Sequence, residues 1–369
     1  MPWPLVPLSE VVALQRGHDL PSRLRKPGVV PVVGSAGISG FHSEAIVPGP
    51  GLVIGRSGAS IGKATYVTTP YWPLNTGLYA TSFRGNEPYW VYLALGQLDL
   101  AQLNSGSAQP SLNRNNLGGL RVSRPPKPAQ RAIAEVLGAL DDKIAANAVL
   151  RDSSRELRGA SLRVALNGGQ VKVFLGEGTV LLGRGKAPSY TQSAKGVLVI
   201  NQKCVRDGTV ALDQARLAEV MREPQLAFGD VLVNSTGMGT LGRVGVWRHS
   251  VPAFPDSHVT VLRFADDFVD PWVGAEAVLA SQAAIEALGE GSTGQTELSR
   301  KALAALQLTL PERASQVQLG LKLRALHARE HQASEESGSL AKLRDFLLPH
   351  LMSGRITVRE AEERVEEVL

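Results

Sequence analysis

Ser107-Ala108-Gln109-Pro110-Ser111-Leu112 and Thr293-Gly294-Gln295-Thr296-Glu297-Leu298 lie 186 residues apart and share Gln109/Gln295 and Leu112/Leu298. The same offset carries Leu117 to Leu303, Leu120 to Leu306, Pro125 to Pro311, Gln130 to Gln316 and Ile133 to Leu319. It continues through Leu137/Leu323, Leu140/Leu326, Leu157/Leu343, Leu162/Leu348 and Gly168/Gly354, with no gap over about 60 residues. A duplication of this length determines the architecture more firmly than local propensity does, because both copies must solve the same burial problem.

Upstream the offset drifts, to 168 where Leu14-Gln15-Arg16-Gly17 matches Leu182-Gly183-Arg184-Gly185 and to 180 where Gly62-Lys63 matches Gly242-Arg243. Variable loops therefore lie inside each copy. Short β-rich runs bounded by Gly and Pro predict strands at 29–33, 51–54, 64–68 and 78–83 in the first copy, and at 197–201, 231–234, 244–247 and 259–264 in the second. After Pro125-Pro126-Lys127-Pro128 and after Pro311 the period changes to that of a helix. Ile133, Leu137, Leu140 and Ile144 form one stripe; Leu319, Leu323 and Leu326, then Leu340, Leu343 and Leu347, form the other. Polar residues such as Asn147, Arg151, Glu330 and Ser334 interrupt the middle of each seam. A helix of about 38 residues spans roughly 57 Å, more than one domain needs for its own core, so pairing of the two as a spacer is the simplest arrangement. The alternative is two unrelated amphipathic helices, each lying on its own domain.

The fold class expected is thus α+β: two repeated strand-rich domains joined by two long helices packed as an antiparallel coiled coil. The expected division is 1–125 and 170–310 for the strand-rich domains, 126–169 and 311–352 for the helices, and 353–369 for a tail. With 369 residues, 43% apolar and 20% charged, the chain has an ordinary globular composition, which excludes wholesale disorder and collagen. Neither a membrane span nor a signal peptide is indicated, and a cytoplasmic location is expected. The single cysteine, Cys204, can form no internal disulfide and reads as a core residue. Net charge is +5, with 10 Lys/Arg against 5 Asp/Glu in residues 1–125 but 13 against 14 in residues 171–310. A nucleic-acid partner is permitted by that balance, and the second half would need a local basic face to hold one.

Several motifs come close to known chemistry without reaching it. Gly58-Ala59-Ser60-Ile61-Gly62-Lys63-Ala64 lacks the first glycine of a phosphate loop, where Ser57 stands, and lacks the metal-holding hydroxyl, where Ala64 stands. Both copies nevertheless follow a strand with a Gly/Ser turn and a cation, Lys63 or Arg243, with Arg56 or Asn234 and the hydroxyls of Ser57 and Ser235 nearby. Such a turn suits a phosphate or a guanine edge, and a plain tight hairpin is the alternative. Arg114 and Lys186 are further candidate DNA contacts. Asn86-Glu87-Pro88-Tyr89 departs at Glu87 from the motif by which amino methyltransferases hold a base, and Gly34 to Gly40 has the wrong spacing for a cofactor loop. His327 and His331 stand four apart on a helix without an evident third ligand and are read as solvated. No catalytic group, metal or cofactor site is expected.

Two strand-rich regions, each closed by Gly106 to Leu112 or Gly291 to Leu298 and a Pro-punctuated long helix, resemble the specificity subunit of type I restriction-modification enzymes. Leu343-Arg344-Asp345-Phe346-Leu347-Leu348-Pro349-His350-Leu351-Met352-Ser353-Gly354-Arg355-Ile356 is similar to the usual close of that family. Glu297 within the second element and the acidic stretch Glu360 to Leu369 depart from the pattern. The resemblance implies a non-catalytic reader of double-stranded DNA, each half recognising one part of a split, asymmetric target. It implies two methyltransferase subunits docked on the helices, and separate motor/endonuclease subunits. S-adenosylmethionine, ATP and Mg would belong to those partners. A self-sufficient methyltransferase and a duplicated scaffold module are the alternative readings.

Overall fold

The computed structural model describes residues 3–103, 112–117, 119–264, 267–290 and 296–367, with the side chain of Arg114 excepted. Two compact units emerge, residues 1–146 with 336–369 and residues 147–335, and each is described by itself.

In the first unit the strand Gly51–Gly55 explains the local architecture. Its side chains alternate across the sheet, and both faces are covered: Leu52 and Ile54 enter the main core while Val53 joins Val33, Val67, Tyr71 and Tyr79. That is why Gly51-Leu52-Val53-Ile54 reads as an unbroken apolar run. The four-stranded antiparallel sheet orders Ala13–Arg16, Gly77–Ser82, Gly51–Gly55 and Ala64–Val67. A three-stranded sheet orders Gly37–His42, Val30–Gly34 and Trp72–Pro73. Both ends of the chain close the unit. Leu5–Pro7 pairs with Arg121–Ser123, and Trp3 Nε1 donates to the Leu351 carbonyl at 3.2 Å. The acidic tail is helical over Val358–Glu366, started by a reciprocal Thr357/Glu360 cap, with Ala361 buried in the core.

The second unit repeats this plan. Val231–Asn234 is its doubly covered strand: Val231 and Val233 face one core while Leu232 faces another with Ile200, Cys204 and Trp247. Burial pushes the Cys204 thiol up to about 11, as befits a core residue. A six-stranded sheet orders Thr179–Arg184, Val259–Phe264, Val231–Asn234, Val244–Val246, Gly208–Val210 and Val205–Arg206. A four-stranded sheet orders Tyr190–Thr191, Arg216–Ala218, Val197–Ile200 and Ala253–Pro255. All eight strands expected from the sequence are present, with ends shifted by a residue or so.

Gln130 and Gln316, one repeat apart, perform the same task in the two units, and both are buried. Gln130 accepts from the Glu87 amide at 2.9 Å and donates to Asn86 Oδ1 and the Pro125 carbonyl, each at 2.9 Å. Gln316 accepts from the Asp270 amide at 3.0 Å and donates to the Pro311 carbonyl at 2.9 Å. Each glutamine thereby ties the start of a short proline-led helix, Pro88–Gly96 or Pro271–Ala280, to the first turn of a long one. Asn86-Glu87-Pro88-Tyr89 is part of this structural joint.

The long helices span Lys127–Asn167 and Arg313–Ser353, 41 residues each. In the first unit Ile133, Leu137 and Leu140 share a core with Leu340 and Leu347, and Ile144 and Leu343 pack at its margin. Asp141 meets Arg344 at 2.5 Å while Lys143 meets Glu336 at 3.2 Å, so the helices run antiparallel. In the second unit Leu162 shares a core with Leu319 and Leu323. There the seam departs from expectation. Leu326 is half-buried outside the core clusters, and His327 and Glu330 occupy the buried positions instead.

Glu330, 2% exposed, accepts from Arg155 at 2.9 Å, from Arg248 at 2.8 Å and from Arg158, which also donates to Glu276 at 3.0 Å. Burial alone would raise the Glu330 carboxyl; Arg248 and Arg158 overcome it and bring the pKa to about 2. His327 is fully buried beside Glu276 (3.4 Å) and the Trp272 ring, not solvated as its sequence suggests. Burial, reinforced by Arg248 and Arg158, holds its pKa well below the ordinary value, so the ring is neutral. The sequence window hides this because Arg248 and Glu276 come from outside the helices.

Glu330→Gln should cost about 3–5 kcal/mol in the unfolding free energy, since it leaves three guanidiniums around an uncharged amide. The pH dependence has a definite sign. A carboxyl whose folded pKa is about 2 against 4.5 contributes stability above the unfolded value and loses it as pH falls from about 5 toward 2, roughly 3 kcal/mol in all. Glu276, raised by burial, acts in the opposite sense. Urea unfolding of wild type and variant across pH 7 to 3 isolates Glu330: their difference should shrink on acidification.

Candidate nucleic-acid interface

The turn after each doubly covered strand is the element most closely repeated between the units. In the first unit the Gly55 amide donates to Lys63 O at 2.8 Å and the Gly62 amide to Gly55 O at 2.8 Å. In the second the Asn234 amide donates to Arg243 O at 3.0 Å and the Gly242 amide to Asn234 O at 2.8 Å. The Leu112 amide then docks on Arg56 O at 2.9 Å, and the Leu298 amide on Ser235 O at 2.8 Å. Hydrogen bonding thus equates Gly55 with Asn234 and Arg56 with Ser235, one residue away from the sequence match, because the second turn is one residue longer. Gly62 and Gly242 share positive φ (79° and 76°), and a Cβ on either would strike Leu100 or Glu286, which are themselves one repeat apart. Most of the two Gln-containing elements, residues 104–111 and 291–295, lies outside the described residues.

The predicted contact residues divide by exposure. Lys63 and Lys186 are exposed; Arg56, Ser57 and Arg243 are half-buried. Arg56 reaches Asn75 O at 3.3 Å, and Arg243 braces its own turn through Gly239 O at 2.8 Å. Asn234 and Ser235 turn inward instead, Asn234 donating to Gln202 O and Thr240 O, and Ser235 bonding Thr260 Oγ1 at 2.5 Å. Their side chains hold the turn and do not project from it. Arg114 begins the short helix Arg114–Leu117, and its side chain is outside the described set.

Beside each turn lies an open cleft. The first, about 640 Å³, is lined by Gln15, Arg16, His18, Asp19, Arg56 and Asn113 among others. The second, about 610 Å³, includes Gln202, Met238, His258 and Glu297. Arg16 and Arg184 occupy matching places, each followed by a glycine with no room for a side chain: a Cβ would lie 2.3 Å from Leu74 O at Gly17 and 2.2 Å from Pro255 O at Gly185. Arg16 is exposed, whereas Arg184 pairs with Glu297 and donates to Leu298 O at 2.9 Å. Neither arginine is among the predicted contacts, although the repeated Leu-x-Arg-Gly motif marks both. Met238, 91% exposed between Gly237 and Gly239, is the other projecting side chain of the second turn.

Residues 2–152 match the family model described as type I restriction modification DNA specificity domain. The specificity subunit of the type I restriction enzyme EcoprrI of Escherichia coli is 27% identical over 139 residues, covering 36% of this chain and 35% of that protein. The aligned stretch therefore spans about a third of this relative's length. The crystal structure of a type I restriction-modification S subunit from M. genitalium shares the fold, with TM-score 0.73, 18% identity and coverage of 95% of this chain and 96% of that one. Residues 2–152 are thus similar to the type I DNA specificity domain, and the whole chain shares its fold with an S subunit. Among the described residues no helix is long and apolar enough to cross a membrane.

Gly242→Ala and Gly239→Ala separate packing from conformation in the second turn. Both glycines have positive φ, but a methyl at 242 meets Glu286 Cγ at 2.6 Å whereas one at 239 meets nothing within 4 Å. Alanine at 239 should cost about 1–2 kcal/mol of conformational strain. Alanine at 242 should cost more, as measured by chemical denaturation.

Proposed function

We propose that this chain reads DNA for a type I restriction-modification complex, each strand-rich unit recognising one part of a split, asymmetric sequence. The observation that carries the reading is the repeated turn: the same backbone hydrogen bonds present Lys63 in one unit and Arg243 in the other. A backbone frame of that kind allows different side chains to face the bases while keeping the phosphate contacts in register. Exposed cations suit phosphate or guanine, and unequal side chains on equal frames free the target from palindromy. In this reading the chain performs no catalysis. Two methyltransferase subunits dock on the helices, motor/endonuclease subunits join them, and S-adenosylmethionine, ATP and Mg act in those partners.

Lys63→Ala should weaken binding by roughly 1–3 kcal/mol if the ammonium contacts a base, or lower the salt slope by about one if it contacts a phosphate. Arg243→Lys, which keeps the charge but loses the brace to Gly239, should have the smaller effect of the two on the salt slope. Fluorescence anisotropy with the assembled methyltransferase across a salt series reads both. Unchanged affinity and slope for Lys63→Ala would reduce the turn to a hairpin connection.

The helices are proposed to set the gap between the two half-targets. Four residues inserted after Ala146 and four after Glu335 lengthen both helices by about 6 Å while nearly restoring each apolar stripe. The methylated target should keep its two half-sequences with a gap wider by about two base pairs, at 3.4 Å each. Sequencing of methylated sites in cells carrying the insertion tests this, and an active variant with the original gap would refute it.

A further inference from the structure

The second unit brings together three ligating side chains that the DNA-reading proposal leaves without a role. His249 follows the strand Val244–Val246, and His331 and Glu335 stand one turn apart on the same face of the second long helix. One ligand atom from each of the three lies within 4.8 Å of the others. The two imidazoles meet edge to face with centroids 4.9 Å apart, and the Trp247 ring packs on His249 at 4.8 Å.

The donor set has the chemistry of a metal site. His249 Nε2 is 2.7 Å from the Val210 carbonyl oxygen, which can only accept, so Nε2 donates there and Nδ1 is the nitrogen left for a metal. A backbone carbonyl commonly orients a ligating imidazole in this way. His331, half-buried against the His249 ring, brings the second imidazole to the group. Glu335, exposed, supplies the negative charge. Of the cations lining the adjoining cleft, Arg248 and Arg155 are matched by Glu330 and Arg206 by Asp213 at 2.6 Å, and Arg151 is the fourth. The group opens on a cleft of about 460 Å³, which leaves room for water in the remaining coordination positions.

We propose that His249, His331 and Glu335 bind one divalent ion of the zinc class, clipping the loop after Val244–Val246 to the second long helix. Two imidazoles and a carboxylate suit zinc and its late first-row neighbours, and not calcium or magnesium. Tetrahedral ligands about 2.0–2.1 Å from the metal stand roughly 3.3 Å apart, so the group must close slightly. Glu335, on the surface, can make most of that movement. The sequence hides this site because His249 lies 82 residues before His331 in the chain.

The test uses the full chain, stripped with a chelator and titrated with zinc by calorimetry, and loaded with cobalt(II) for visible absorption. One zinc per chain should bind and raise the melting temperature, and cobalt should give ligand-field bands. His249→Asn and His331→Asn should abolish the stoichiometric binding. Glu335→Gln, at an exposed position that leaves the fold intact, should weaken it about tenfold or more. No stoichiometric uptake, or uptake unaltered by Glu335→Gln and His331→Asn, would overturn the proposal in favour of an adventitious surface ion. Stabilisation by inorganic phosphate and not by zinc would overturn it in favour of an anion cleft. None of these readouts depends on DNA, so failure here is distinct from failure of the proposed function.

Discussion

A long helix with an apolar stripe cannot bury that stripe by itself, and the antiparallel pairing that solves the problem dictates how the chain is divided. In the first unit the stripe of Ile133, Leu137 and Leu140 is covered by Leu340 and Leu347, some 200 residues later. The unit must therefore be assembled from both ends of the chain. Strand Leu5–Pro7 on Arg121–Ser123, the Trp3 contact with Leu351 and the burial of Ala361 all follow from that requirement. The middle of the chain, residues 147–335, makes the second unit from its own material.

Within that shared plan the two seams are locked by different chemistry at matching positions. Arg158 and Arg344 are one repeat apart, and each reaches across to an acid on the other helix. Arg344 meets Asp141, which in turn accepts from the Tyr89 hydroxyl, at the half-exposed margin of an aliphatic core. Arg158 is 1% exposed and meets Glu330 inside the seam, where Arg248 joins from the loop after strand Val244–Val246 and Glu276 from the short helix. A buried ion network is a poor source of net stability, but it penalises misalignment heavily because any slip strands a charge in a low dielectric. The first unit depends for its register on packed leucines and the second on matched charge.

What the sequence makes legible follows from the range of the interactions. The doubly covered strands at Gly51–Gly55 and Val231–Asn234 are visible as apolar runs, since burial on both faces leaves a local signature. Gln130 and Gln316 are visible as a repeat, though not as clamps. His327 is misread as solvated, and Glu330 shows only as a polar break in the seam, because a helical window shows only their own helix, and the groups beside them are Arg158, Arg248 and Glu276. The inward turn of Asn234 and Ser235 is likewise illegible. A single extra residue in the second turn shifts the equivalence, and only the amide of Leu298 on Ser235 O reveals the shift.

The turns show how a duplicated frame can carry unequal side chains. The hydrogen bonds common to both turns run between backbone atoms, so the shared frame fixes side-chain identity only at Gly62 and Gly242, where a Cβ has no room. Gly55 in one copy can be Asn234 in the other because the shared bonds use only the amide and carbonyl of that position, while the Asn234 side chain adds bonds to Gln202 O and Thr240 O. Arg56 and Ser235 can differ because the shared bond to Leu112 or Leu298 uses only the carbonyl, while their side chains take separate partners, Asn75 O and Thr260 Oγ1. The projecting positions are then free of structural duty: Lys63 on one turn, Met238 on the other. A frame maintained by backbone bonding and a glycine can accept new side chains without being rebuilt, and this physical arrangement lets two copies of one fold present different chemistry to whatever they meet.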